Sequence, residues 1–179
     1  MEISTAQHDV RSAYLGGFAG QLVSGILWSI SAALCTLVSF RSAVLFLVFS
    51  GFFIFPLTLL VLRLTGRSVS LPSGHPMNAL AMQIAFSLPL TLPVVYGASV
   101  HHHAWFYPAF MIVLGAHYLP FTFLYGMRQF FVLGVLLISA GIFIGMRLPG
   151  TLGLGAWLTA GLLLVFAFLG RRTALNERA

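Results

Sequence analysis

Charge is scarce in this sequence. Of 179 residues only 7% are charged, against about 25% in a typical soluble domain. The only acids are Glu2, Asp9 and Glu177, all in the two terminal tails. Buried-carboxylate proton relays, paired-aspartate proteolysis and carboxylate-held Mg²⁺ or Ca²⁺ sites therefore lack their essential groups. Lysine is absent, which excludes a Schiff base, and the lone Cys35 has no partner for a disulfide or a CxxC redox pair. The histidines form neither an HExxH zinc-protease motif nor the spaced boxes of a di-iron hydroxylase. The only short serine-containing lead, Ser73-Gly-His75, lies in the loop from Arg63 to Pro76, and no GxSxG elbow accompanies it.

What the chain has in quantity is apolar surface: 59% of its residues are hydrophobic and the mean hydropathy is +1.00. This is a membrane composition, and it excludes soluble enzymes and nucleic-acid-binding modules. Six apolar runs have spanning length: 14–38, 42–62, 77–100, 106–125, 129–146 and 152–170. Between Phe106 and Met146 the apolar run is broken only by Gly126 to Gln129. A single helix of that length would measure about 60 Å, twice the hydrocarbon thickness, so a turn at Gly126–Arg128 is expected. The expected fold is an all-α membrane protein, a polytopic bundle of six transmembrane helices with membrane lipids as its surroundings.

Residues 1–13 then form a cytoplasmic N-terminal tail or an interfacial helix, the latter favoured by the capping-box spacing of Ser4 and Gln7. Residues 14–170 form the membrane domain and 171–179 a cytoplasmic basic tail. The first run is too long for a signal peptide, and Ala32-Ala33-Leu34 before Cys35 is no lipobox, so the first helix is expected to remain. The net charge of +6 comes from arginines placed mostly between spans. An inside N-terminus puts Arg11, Arg63, Arg67, Arg128, Arg171, Arg172 and Arg178 in the cytoplasm and leaves Arg41 and Arg147 outside, the asymmetry of the positive-inside rule.

An internal repeat is visible. Gly51, Pro56 and Thr58 coincide with Gly115, Pro120 and Thr122 at an offset of 64 residues. Each copy ends in an arginine, Arg63 or Arg128, and the preceding spans carry Gln21 with Ser24 and Gln83 with Ser87. The unit would be a helical hairpin, giving three hairpins with the first two related by duplication and entering the membrane in the same direction. Chance alignment of apolar helices is the alternative.

His117 is the one ionisable side chain near the middle of an apolar span, with Tyr118 beside it, and its burial requires a partner or a cavity. Counted from the cytoplasmic ends of their spans, Gln21, Gln83 and His117 all lie about 9–12 Å deep. A layer of these three, with Tyr118 and Thr122 in reach and helix kinks at Pro56 and Pro120, is the candidate substrate-binding site. Interhelical hydrogen bonding explains the same residues without a ligand. His101, His102 and His103 form an outer run without further ligands, so no metal site and no cofactor is expected. Gly16, Gly20 and Ser24, and Gly141 with Gly145, mark close helix crossings within the bundle or in a homo-oligomer. Trp28, Trp105, Phe106 and Tyr107 fit an aromatic belt at the headgroups.

The segments Tyr14-Leu-Gly-Gly17, Trp105-Phe-Tyr-Pro108-Ala, Gly115-Ala-His117-Tyr118-Leu-Pro120-Phe and Tyr125-Gly126-Met127 resemble an uncharacterised family of small bacterial multi-span membrane proteins. The resemblance covers most of the chain. It implies a bacterial inner-membrane location and marks His117 and Tyr118 as motif members, and it supplies no activity.

Three functional readings follow. The first is a small transporter or channel-like protein holding a small neutral, aromatic or anionic solute in the layer around His117. The second is a non-catalytic assembly or partner-binding module packed through glycine-rich faces. The third is a lipid-modifying enzyme using His117 and Tyr118, which lacks the usual carboxylates.

Overall fold

The computed structural model describes residues 2–66, 70–148 and 150–177, with His101 in its backbone only; Arg67 and Arg178 lie outside this set. The helices are α1 (Ile3–Tyr14), α2 (Phe18–Leu37), α3 (Phe40–Gly51), α4 (Ile54–Leu64), α5 (Met77–His101), α6 (Phe106–Tyr118), α7 (Phe121–Tyr125), α8 (Arg128–Arg147) and α9 (Leu154–Asn176). No strand occurs among the described residues. Five helical stretches are long and apolar enough to cross a membrane, six if the bent pair α3–α4 counts as one span. The chain is an all-α polytopic membrane bundle.

Proline position explains where the spans break. The run 42–62, expected as one helix, is two helices bent by 62°. Pro56 has no N–H for the carbonyl of Phe52, and its ring crowds that turn. The break accordingly falls at Phe52–Phe53. The run 106–125 likewise divides at Leu119–Pro120, after which Pro120 opens the short α7. By contrast α5 continues through Pro89 and Pro93, and Pro108 sits in the first turn of α6, where a missing donor costs nothing.

Four helices form the centre. The largest interfaces join α2 to α9 and α6 to α8, while α3 and α4 flank α2, and α5 flanks α6. Glycines permit these approaches. A Cβ on Gly115 would lie 2.6 Å from the Gly134 carbonyl oxygen, and one on Gly141 2.7 Å from the Pro108 oxygen. One on Gly25 would lie 2.8 Å from Leu164. These glycine faces are thus occupied within the chain. The two copies of the repeat differ here, because Gly51 meets nothing within 4 Å.

Trp28, Phe106 and Tyr107 do not form a headgroup belt. They are buried at 3%, 5% and 1% exposure, because the gap between α2 and α6 is filled by their rings. Trp28 stacks edge-on to Phe110 at 5.0 Å, and Tyr107 bonds Ser31 at 2.8 Å.

The N-terminal segment is a docked helix. Leu15, Gly16 and Gly17 all have positive φ, a left-handed turn that ends α1 and starts α2. Gln7 donates to the Phe123 carbonyl at 2.6 Å. Arg11 donates to the Tyr125 carbonyl at 2.7 Å and pairs with Glu177 at 2.7 Å. Gln7 therefore caps α7 rather than forming a box with Ser4; the N-cap of α1 is Glu2 and makes no side-chain bond. These bonds gather α1 and the end of α9, with Arg11, Arg63, Arg128, Arg171 and Arg172, at one end of the bundle. Arg41 and Arg147 lie at the other.

Candidate functional site

His117 occupies the last turn of α6 and is half-buried. Its Nδ1 lies 3.0 Å from Ser87 Oγ on α5, and Ser87 Oγ lies 2.7 Å from the Ile84 carbonyl. With the single hydroxyl proton on that carbonyl, His117 Nδ1–H is the donor to Ser87. The pair fastens α5 to α6. His117 also stands edge-on to Phe121 at 5.1 Å and to Tyr118 at 5.7 Å.

Behind the histidine lies an aromatic stack. Tyr118, Phe121, Tyr125 and Phe130 have neighbouring ring centroids 4.9–6.2 Å apart. Its edge touches α2, since a Cβ on Gly17 would lie 2.8 Å from the Phe130 ring and 3.7 Å from the Tyr125 ring. Glycine is required at 17 both by this contact and by its φ of +83°.

Gln21 stands one turn further along α2. It is 2% exposed, and neither its amide nitrogen nor its amide oxygen has a hydrogen-bond partner. His117, by contrast, bonds towards α5. Two further polar atoms are buried without partners at this end: Thr122 Oγ1 and Gln129 Nε2. Gln129 lies over Gly170, whose Cβ would meet its Nε2 at 2.6 Å.

The other expected residues lie outside. Gln83 is exposed on α5, one turn before Ser87, and Pro56 and Pro120 are exposed at their helix breaks. At the opposite end an open depression of about 390 Å³ is lined by His102, His103, Ala104, Trp105 and Gly145. Among the described residues no three His, Cys, Asp or Glu side chains gather as a metal-binding group; the side chain of His101 lies outside the described residues.

Residues 3–172 match the sequence pattern of DUF7010, a family of unknown function. The chain belongs to DUF7010. No curated protein and no solved structure matches it. The DUF7010 match begins at the first residue of α1 and so takes in the docked helix. It ends after Arg172, leaving the last turn of α9 with Glu177 beyond it.

Sequence reasoning passed over Gln129, which reads as a turn residue between two spans. It also left open the docking of Gln7 and Arg11. An amide in the first turn of a helix carries no periodic signal, and caps on a distant helix are invisible along the chain.

Proposed function

We propose that this DUF7010 chain is a small solute-binding transporter or channel-like protein of the bacterial inner membrane. Its substrate is a small neutral molecule carrying both a hydrogen-bond donor and an acceptor. The observation that carries the reading is the Gln21 amide, buried with donor and acceptor both unused. In a bundle surrounded by lipid no bulk water reaches such a group, and an unmet amide costs several kcal/mol on hydrocarbon scales (~4–8).

Thr122 adds a further unused hydroxyl oxygen, and Tyr118 with its aromatic neighbours supplies flat apolar walls. His117, anchored by Ser87, fixes the α5–α6 side of the layer. The broken span at Phe52–Phe53 and the break at Pro120 give the surrounding helices places to bend. A neutral solute suits the layer better than an ion, because no arginine or acid lies within it. The positive-inside rule supports cytoplasmic termini, with five described arginines at their end of the bundle against two at the other.

The test is native mass spectrometry of detergent-purified wild type, Gln21→Met and His117→Ala, before and after incubation with small amides, alcohols and aromatic compounds. The reading expects a non-lipid adduct on the wild type that is missing from Gln21→Met and weakened in His117→Ala. Wild-type spectra free of any adduct, or an adduct indifferent to Gln21→Met, would overturn it.

A further inference from the structure

Helix α5 is sparsely covered. Only 11% of its most apolar stretch is buried, against 39–56% in the other four continuous spans. Its covered face is well defined. Ile84, Ser87, Leu88, Leu92, Val95 and Ala98 are buried or half-buried on the side that packs against α6, and in a heptad register with Gln83 at position a they occupy positions b, c, e and f. The a and d positions fall on the opposite face: Gln83, Phe86, Leu90, Pro93, Gly97 and Val100, every one exposed. Two leading members are 59% and 77% exposed, Phe86 and Leu90.

An apolar seam alone would be content in lipid. This one carries an amide at an a position. Gln83 stands six residues into the helix, about 9 Å from its start, and its side chain has no hydrogen bond among the described residues. Lipid tails offer this amide no partner.

We infer that the outward seam of α5 is a homodimer interface in which Gln83 pairs with Gln83 of a second copy. The occupant follows from the chemistry of the amide, which carries one acceptor oxygen and two N–H donors and is its own complement. Copies inserted in the same direction are related by a two-fold axis along the membrane normal. Their α5 helices then run parallel, and each a position meets the same position of the other copy at the same depth. Gly97, with nothing within 4 Å of a Cβ built on it, allows close approach near the other end of the seam. A single polar a residue among apolar ones also fixes the register of such a pair. This interface is independent of the Gln21 site, because no residue of the seam lines it.

The test is disulfide trapping in native membranes. In a Cys35→Ser background, Leu90→Cys places a thiol at an a position, and Phe143→Cys places one on the exposed face of α8 (59% exposed). Mild oxidation should trap a dimer through Leu90→Cys and leave Phe143→Cys monomeric. In lipid nanodiscs Gln83→Leu should weaken the dimer about 5- to 30-fold, the factor that interhelical hydrogen bonds give in model helices, with Gln83→Asn recovering part of the loss. Gln83 faces outward, so neither variant disturbs the bundle. A wild type that stays monomeric in nanodiscs, equal trapping through Phe143→Cys, or a dimer indifferent to Gln83→Leu overturns the assignment.

Discussion

Replacing Gln21 with methionine should make the ligand-free protein more stable. The two side chains have nearly the same length and volume, so the exchange opens no cavity and inserts no extra methylene. What it removes is a buried amide with neither hydrogen bond made. Mutational data put the cost of such a group at about 1–3 kcal/mol, and methionine recovers it with the dispersion contacts of an apolar chain. For a protein of this size each kcal/mol raises Tm by about 2–4 °C, so the shift should lie between about 2 and 12 °C. Unfolding in detergent, followed by circular dichroism on protein stripped of small molecules, measures it. The same variant should lose solute binding, the stability–function trade-off of a residue kept for what it holds. A Gln21→Met protein less stable than wild type by about 1 kcal/mol or more would refute the reasoning, since it would mean that the amide is hydrogen-bonded in the folded state.

Other substitutions probe the frame around the layer. Gly115→Ala should destabilise by about 1–3 kcal/mol, since its Cβ meets backbone of α8 that cannot withdraw. The control Gly161→Ala, which meets nothing within 4 Å, should be neutral or stabilising by up to about 1 kcal/mol; denaturant titration of both separates crossing from propensity. Ser87→Ala removes the bond that ties α5 to α6 and should cost about 0.6 kcal/mol, read as faster hydrogen exchange along α5 with α8 unchanged. Arg11→Ala cuts α1 from Glu177 and from the Tyr125 carbonyl together; exchange should rise across 3–14 and leave 18–37 protected, and unchanged exchange in α1 would show that its apolar face and the Gln7 bond suffice to hold it.

The relation between sequence and structure differs from residue to residue. Span positions were legible because long apolar runs admit few alternatives in lipid, and the turn at Gly126 followed from length alone. The bend of 62° was legible only as a proline: Pro56 and Pro89 look alike in the sequence, yet one ends a helix and the other does not. Depth counting put Gln21 and His117 at one level, an expectation drawn from the sequence alone. It could not assign faces, and Gln83, at a similar count, points out of the bundle. Trp28 and Tyr107 misled for the same reason, since aromatic residues near a span end suit a headgroup belt and a buried interface equally.

Composition and periodicity determined that this chain lives in a membrane as a bundle of helices. Both are sums over many residues, and the hydrophobic effect responds to such sums. Whether one amide is buried, exposed or bonded is settled by which helices become neighbours. That depends on close approaches such as Gly115 to Gly134, contacts between residues 19 positions apart in the chain, and only the folded bundle contains them.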